Sequence, residues 1–319
     1  MSEKKDTNII GDAGVNKTLA RLQVACFATV SAGSYSEDSM KYDMFFTFKN
    51  VFDNRELCKL GGQIKTGDSF IKLNPGQSTA RIDNCSDVKE VMTKLGHPLI
   101  IFVVADKKDI HWYSGDFRSK KIETIKIPIN QVINPSVWID YSRLHRYWQY
   151  QHNRYLTQTL SLKKGYAKEC KLAFKELQST TIDNPIVGPI SITKKSWEHI
   201  TRKGRTNKMR EFSIRTAKHL KHFLETNPDR IALKYVSVNE IDGTTIEKRQ
   251  IIMHYRKGII LNNKTYGFAV RIDEVIEYPT DWIELTLATS DVKHRRKISS
   301  WWINGMRNKK RKKPPVIEL

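Results

Sequence analysis

The segment that most constrains the fold of this chain is the apolar run PLIIFVVA at residues 98–105. Its length suits a β-strand and is too short for a membrane-spanning helix. An uninterrupted apolar strand is typical of a sheet that is covered on both faces. The preceding segment, 85–96, has helical apolar spacing, with Ser86 or Asp87 as an N-cap and Gly96 as a stop. A helix that leads into a doubly covered strand predicts an α/β core.

The neighbouring segments predict the rest of this core. Residues 9–25 carry helical apolar spacing, and KYDMFFTFKN at 41–50 is typical of a strand. The segments CKLGGQIKTG and SFIKLN add two further strands, and IHWYSG predicts a hairpin partner for the apolar strand. We therefore expect an α/β domain over residues 1–135.

The pattern changes in the second half of the chain. Residues 136–182 predict a helical, aromatic connector that is interrupted at Gly165, and two prolines with a glycine in 179–190 mark a boundary. Beyond it, two helices precede four strands, the last expected at WIELTLATS. This order predicts an α+β domain with a four-stranded antiparallel sheet over 183–291. Residues 292–319 are expected to form a basic tail.

The charge of the chain indicates a polyanionic partner. The net charge is +21, of which +8 falls in residues 1–182 and +13 in residues 183–319. A surplus of this size, concentrated in one half, is typical of proteins that bind nucleic acid. Residues 293–313 hold ten Lys and Arg and no acidic residue, and Trp301 and Trp302 lie among them. Aromatic faces beside cations suit stacked bases, and they equally suit packing of a C-terminal helix.

Cysteine and histidine spacing gives no metal signal. The four cysteines are scattered and form no CxxC pair, so the sequence predicts neither a zinc site nor a disulfide framework. His145 and His152 are expected to pack or to stack on bases and not to bind metal. The N-terminal residues carry no apolar signal segment, so we expect a cytoplasmic protein that does not enter a membrane.

The motif with the most chemical content is GGQIKTG at 61–67. In a strand, Gln63 and Lys65 point to one face and Ile64 to the other. Asp43 lies on the preceding strand and would reach the same face if the two strands form a hairpin. Carboxylate and amide oxygens are ligands for Mg²⁺ or Mn²⁺, and a nearby lysine offsets charge on a phosphate. These residues predict metal-assisted hydrolysis of phosphodiester bonds.

This arrangement resembles the PD-(D/E)XK restriction-endonuclease-like fold in its QxK variant, over roughly residues 9–120. The resemblance implies a mixed sheet with flanking helices, with Asp43, Gln63 and Lys65 as catalytic residues and Asp43 and Gln63 as metal ligands. The family usually carries a glutamate in its first helix, where this chain has Asn16. The resemblance therefore implies Asn16 as a third, uncharged ligand.

A second cluster of basic residues surrounds His199. Residues 194–222 hold ten Lys and Arg against two glutamates, and on a helix His199 lies close to Arg202 and Lys203. A histidine beside cations resists protonation, which predicts a general base. Residues expected to bind the phosphates, bases or both are Arg202, Lys203, Arg205, Arg210, His254, Arg256, Arg295, Arg296 and Trp301. Residues 188–290 resemble the metal-independent ribonucleases of the barnase, EndoU, colicin and RelE-like group, which implies a catalytic His199.

Three functions follow from these patterns. The first is a metal-dependent nuclease, by resemblance one of a phage-defence or mobile-element system. The second is a non-catalytic protein that binds nucleic acid, or assembles on it, through a nuclease-like fold. The third is a metal-independent, toxin-like ribonuclease that acts through His199. DNA and RNA both remain candidate substrates, and a protein partner or a second copy of the chain remains open.

Overall fold

The computed structural model separates the chain into two compact units. The first holds residues 1–149, 240–245 and 277–293, and the second holds residues 150–239, 246–276 and 294–319. The residues that the structure describes are 7–32, 42–67, 70–74, 77–81, 97–104, 109–114, 124–128, 130–150, 157–178, 180–285, 287–304 and 317–318. The helix predicted at 85–96 lies outside them.

The first unit has a mixed α/β architecture. Its elements in chain order are α1 (Thr7–Cys26), β1 (Thr29–Ala32), β2 (Met44–Lys49), β3 (Leu57–Thr66), β4 (Ile71–Asn74), β5 (Gln77–Arg81), β6 (Leu99–Val104), β7 (Ile110–Tyr113), β8 (Thr124–Pro128) and α2 (Val137–Gln149). The expected helix over 9–25, the strands at 41–50 and 57–66, and the apolar strand are all present. The helix α2, predicted as part of a separate connector, belongs to this unit.

The main sheet of the first unit has the order β1-β2-β3-β6-β7. The strands β1, β2 and β3 form an antiparallel meander, β6 runs parallel to β3, and β7 returns antiparallel to β6. The predicted hairpin between the apolar strand and IHWY is confirmed. Since β6 lies parallel to β3, the chain between them must cross over before it re-enters the sheet. The strands β4, β5 and β8 form a separate three-stranded sheet.

One face of the main sheet packs against helices. Phe46 and Trp112 contact the ring of Tyr141 in α2, with centroids 5.6 and 5.1 Å apart. Trp138 donates a hydrogen bond to the Lys49 carbonyl at 2.7 Å, which fixes α2 along β2. All six residues of β6 are buried, as its continuous apolar sequence predicts.

Two adjacent glycines in β3 let bulky groups approach both faces of the strand. A Cβ on Gly61 would lie 1.9 Å from the ring of Tyr42, and one on Gly62 would lie 2.6 Å from the Met44 side chain. Real Cβ atoms do not approach other atoms so closely, and neither ring nor thioether can be accommodated without a shift. Tyr42 and Met44 can therefore pack as they do only if residues 61 and 62 are both glycine. The two glycines immediately precede the polar residues Gln63 and Lys65.

The second unit is built on a large mixed sheet. Its elements in chain order are β9 (Gln158–Thr159), α3 (Tyr166–Leu177), β10 (Thr181–Asn184), β11 (Gly188–Ser191), α4 (Lys194–Thr201), α5 (Asn207–Thr216), α6 (Leu220–Leu224), β12 (Arg230–Ile241), β13 (Thr244–Leu261), β14 (Lys264–Pro279), β15 (Lys293–Ile303) and β16 (Ile317–Glu318). The sheet order is β10-β11-β15-β14-β13-β12-β16, and β9 pairs with β13. Gly165, with φ 85°, directly precedes α3. Residues 157–164, predicted to be helical, instead contain β9 and a turn.

Two predictions for the sheet of the α+β domain are wrong. The sheet has eight strands and not four, and the strand beside β14 is β15, not WIELTLATS. Residues 293–303, predicted to begin a tail with a helix, form that strand. The turn at 281–285 instead leaves Ile283 and Leu285 exposed. The basic residues of β15 alternate with buried ones, and this alternation defines the strand.

The core of the second unit is aromatic. Phe223 of α6 lies 4.2 Å from Phe268 and 5.0 Å from Tyr255, measured between ring centroids. Trp301 of β15 is fully buried and donates a hydrogen bond to the Ser213 carbonyl at 2.7 Å. This contact holds α5 against the sheet. Among the residues described, no helix combines the length and apolar character that crossing a bilayer requires.

Candidate functional site

The polar end of β3 brings Asp43 to the predicted motif. The Asp43 N–H donates to the Gly62 carbonyl at 2.9 Å, so the pairing of β2 with β3 continues to this residue. One carboxylate oxygen of Asp43 accepts a hydrogen bond from the N–H of Ile64. Ile64 lies between Gln63 and Lys65, so the carboxylate is fixed on the backbone at the centre of the motif. This placement agrees with the expectation that the two strands form a hairpin.

Gln63 and Lys65 share the face of β3 that lies opposite α2. In the register of β3 with β6, Gln63 lies beside Ile101 and Lys65 beside Val103, whereas Ile64 lies beside Phe102 on the other face. Gln63 is 6% exposed, and Lys65 is half-buried with its ammonium 5.8 Å from the centre of the Phe70 ring. The lysine is held by an aromatic face and keeps part of its surface in solvent.

The strand ends at a turn that only glycine adopts easily. Gly67 has φ 108°, and its N–H donates to the Val104 carbonyl at 3.1 Å. Side chains other than glycine strain the backbone in this region. The N–H of Phe70 donates to the Gly67 carbonyl at 3.1 Å, so a turn follows directly after β3 and places Phe70 against the Lys65 ammonium.

The structure does not bring Asn16 to this site. A Cβ on Gly14 would lie 2.0 Å from the Thr66 hydroxyl, so this side of α1 faces the end of β3. Thr18 is fully buried, whereas Asn16 is exposed. Each helical residue advances about 100° around the axis, so Asn16 lies about 200° from both Gly14 and Thr18. Its amide points away from the sheet, and the expectation that it completes the metal ligands is wrong for this conformation.

The remaining donors still suit a magnesium ion. Asp43 offers a carboxylate, and Gln63 offers an amide oxygen. Both are hard oxygen ligands, and Mg²⁺ is commonly held by one or two carboxylates with substrate phosphate and water completing its shell. With a single carboxylate in the pair, the affinity of these two side chains for the metal is expected to be low.

In the second unit, His199 belongs to a cationic cluster. Arg271 of β14 approaches the Nε2 atom of His199 at 3.0 Å and also donates to the Ser299 hydroxyl at 3.1 Å. Because a guanidinium can only donate, Nε2 accepts this hydrogen bond and the ring proton sits on Nδ1. Arg205 donates to the Ser213 hydroxyl at 3.1 Å and is half-buried.

The electrostatic environment keeps His199 neutral. Burial lowers its pKa to about 4, with further lowering by Arg202, Arg271 and Arg205, and Asp273 partly offsets these effects. At neutral pH the ring is an acceptor whose Nε2 lone pair is already occupied by Arg271. A group with so low a pKa is a weak base, and it has no proton to give as an acid. The cluster therefore favours anion binding by the arginines and disfavours the predicted acid–base function of His199.

The other predicted nucleic-acid contacts divide by exposure. Arg202, Lys203, Arg256 and Arg295 are exposed, and Arg210 and His254 are half-buried. Arg296 is 4% exposed and donates to the Val187 carbonyl, so it is a structural residue of β15. Trp301 is fully buried in the core. The expectation that Arg296 and Trp301 contact nucleic acid is wrong, because neither side chain reaches the surface.

Sequence reasoning missed Arg271 and Ser299. Arg271 and Asp273 occupy alternate positions in FAVRIDEV, between buried apolar residues, so the period of two was visible. The approach of Arg271 to His199 and to Ser299 depends on the order of strands β14 and β15 beneath α4, which no local pattern specifies.

No family model, curated protein or solved structure matches the chain.

Proposed function

We propose that the protein is a metal-dependent nuclease that hydrolyses phosphodiester bonds at the polar end of β3. The observation that carries this proposal is the carboxylate of Asp43 bound to the Ile64 N–H, between Gln63 and Lys65. A carboxylate, an amide oxygen and an ammonium at the end of one strand suit a divalent cation and a phosphate together.

The topology of the first unit also supports the proposal. The PD-(D/E)XK resemblance implies a mixed sheet with flanking helices, and the main sheet of the first unit is mixed, with β6 parallel to β3. In this arrangement Asp43 and Gln63 would hold Mg²⁺, and Lys65 would orient water or stabilise negative charge on the phosphate. Bound Mg²⁺ would lower the pKa of a water ligand and offset charge on the transferring phosphate.

The experiment is cleavage of plasmid DNA, single-stranded DNA and single-stranded RNA by the full chain. We expect cleavage of at least one of them with Mg²⁺ or Mn²⁺ and none with EDTA. Lys65→Ala should abolish cleavage, whereas Lys59→Ala, an exposed lysine on the same strand, should retain it. Equal activity of Lys65→Ala and wild type would contradict the proposal.

A second candidate is nucleic-acid binding without cleavage, and the arginines around His199 favour it. Arg202, Arg205 and Arg271 all lower the pKa of His199 by their positive charge. Such a group of guanidinium side chains suits a phosphate. Retention on nucleic acid with no cleavage under any divalent metal would establish this function in place of the first. Cleavage of RNA in EDTA that is lost in His199→Ala would establish the ribonuclease instead.

A further inference from the structure

The opposite end of β3 carries a second cluster of potential metal ligands. Glu56 precedes the strand, Cys58 is its second residue, and His145 lies near the end of α2. One donor atom from each of the three side chains lies within 4.8 Å of the other two. Cys58 is fully buried, and the side chains of His145 and Glu56 are 8% and 20% exposed. An enclosed meeting of carboxylate, thiol and imidazole is a recognised ligand combination for transition metals.

The neighbours of the cluster orient it as outer-sphere groups orient metal ligands. The Nε atom of Arg146 donates to Oε2 of Glu56 at 2.8 Å, and its guanidinium lies 5.3 Å from the Phe52 ring. Asn50 donates to the Cys58 sulfur at 3.4 Å, a contact that stabilises a thiolate. Such hydrogen bonds fix the direction of ligand atoms and tune their affinity for metal.

The carboxylate of Glu56 has hydrogen-bonding capacity that is unused. Oε1 of Glu56 is buried, finds no hydrogen-bond partner among the described residues and lies 3.9 Å from Nε2 of His145. Burial of an unsatisfied carboxylate oxygen is costly, so this atom has capacity for a further ligand. The Glu56 oxygen that Arg146 leaves available is thus the one directed at the imidazole.

We propose that Glu56, Cys58 and His145 bind Zn²⁺ or a similar borderline transition-metal ion. Sulfur and nitrogen donors select such ions over Mg²⁺, which prefers oxygen ligands throughout. Three protein ligands leave one position of a tetrahedron. The exposed side chain of Gln149 has its amide nitrogen 2.8 Å from Nε2 of His145. When the metal binds Nε2, this hydrogen bond would be lost. The fourth metal ligand would then be either the Gln149 amide oxygen or a water molecule.

The geometry requires only a modest adjustment. Metal–ligand bonds of about 2.0–2.3 Å in a tetrahedron place donor atoms roughly 3.5 Å apart. The donors, now within 4.8 Å of one another, would close by about an ångström, which side-chain rotation of Glu56 and His145 can supply. On binding, the Cys58 thiol loses its proton to solvent and the thiolate bonds to the metal.

This site is separate from the proposed nuclease site. Cys58 and Lys65 are seven residues apart on one strand, which at about 3.3 Å per residue is roughly 23 Å. The zinc site joins the beginning of β3 to the end of α2, both within the first unit. It therefore does not depend on the proposed nuclease activity, and either proposal can fail without the other.

Cobalt is the probe for this site, because Co²⁺ replaces Zn²⁺ and reports its ligands in the absorption spectrum. The full chain, freed of metal by chelation, is titrated with Co²⁺ and then with Zn²⁺. We expect one equivalent of Co²⁺ to give a thiolate charge-transfer band and the visible bands of a tetrahedral ion. Zn²⁺ should remove both, and excess Mg²⁺ should leave them unchanged.

Variants assign the spectrum to the cluster. Cys58→Ser should lose the charge-transfer band, and Glu56→Gln, which keeps the size of the side chain, should weaken Co²⁺ binding by about tenfold or more. Cys170→Ser is the matched control, because a serine hydroxyl can replace the thiol that donates to the Arg215 carbonyl at 3.3 Å. Circular dichroism verifies folding, and the Glu56→Gln result decides the matter if Cys58→Ser does not fold. No thiolate band in wild type, a band that survives Cys58→Ser, or unchanged affinity in Glu56→Gln would overturn the proposal.

Discussion

The two units concentrate polar groups in opposite ways. At the end of β3 the first unit gathers a carboxylate, an amide oxygen and one lysine, a set that can recruit a cation and a phosphate together. Around His199 the second unit gathers Arg202, Arg205 and Arg271 beside a neutral ring, a set that attracts an anion. On the proposed function, this difference favours cleavage in the first unit and the larger share of nucleic-acid binding in the second.

The largest expected effect separates cleavage from binding. Lys65→Ala should lower the rate of Mg²⁺-dependent cleavage by roughly 10²–10³-fold, as removal of one preorganised charge-stabilising group does in other enzymes. Its retention on nucleic acid should change little, because the variant gives up a single phosphate interaction among many. Initial cleavage rates and filter binding of the same preparations measure the two. A fall in nucleic-acid binding as large as the fall in cleavage would contradict the placement of cleavage and binding in different units.

The next effect concerns the packing that positions the end of β3. Gly61→Ala forces a Cβ into the Tyr42 ring and should lower the free energy of unfolding by roughly 1–3 kcal/mol. Gly204→Ala in the second unit is the control, because no atom lies within 4 Å of its Cβ position. Urea denaturation followed by circular dichroism measures both. If the two variants have the same stability, Tyr42 does not pack on Gly61 as described.

A smaller effect is the pH dependence of stability that His199 introduces in the second unit. The pKa of His199 falls to about 4 in the folded protein from 6.5, so between these values the unfolded chain binds the extra proton. Stability is therefore fully present above about pH 6.5 and is lost as pH falls toward about 4. Solvent reaches the ring, which reduces the size of the effect. His199→Gln should show less acid destabilisation than wild type in urea titrations at about pH 7 and about pH 4.5. An identical pH dependence would contradict the neutral histidine.

The smallest effect tests whether the arginine cluster contacts phosphate. Arg202→Ala should weaken nucleic-acid binding modestly and lower the slope of log affinity against log salt by about 1, because the variant neutralises one phosphate fewer. Glu198→Gln, an exposed residue of α4 four positions before Arg202, is the control and should not lower the slope. Fluorescence anisotropy at several salt concentrations gives the slope. An unchanged slope for Arg202→Ala would place the binding surface elsewhere.

The sequence predicted those parts of the fold that local patterns determine. The continuous apolar residues of β6 and the alternation of β2 and β3 each carry their own signal, and the structure contains both. The strand β15 was missed because its sequence has the composition of a charged tail. Its buried Arg296 donates to the Val187 carbonyl, a partner more than a hundred residues away.

Contacts between distant segments also determined which parts of the sites could be predicted. Asp43, Gln63 and Lys65 lie on consecutive strands, so a hairpin was enough to predict their meeting. The position of Asn16 depended on which side of α1 faces the sheet, and weak amphipathic spacing did not determine it. Glu56 and Cys58 meet His145 only through packing of α2 on β3, so the spacing of the cysteines, which predicted no zinc site, carries no record of this cluster. Contacts between distant segments are fixed by tertiary packing, which no short motif records.

The most direct measurement is the rate of Mg²⁺-dependent cleavage by Asp43→Asn beside wild type. Asparagine keeps an oxygen that can accept from the Ile64 N–H, so this hydrogen bond is preserved while the negative charge that would hold the metal is removed. We predict that cleavage falls by roughly 10²-fold or more, while circular dichroism and nucleic-acid retention remain those of wild type. Cleavage by Asp43→Asn at the wild-type rate would contradict a metal site at the end of β3.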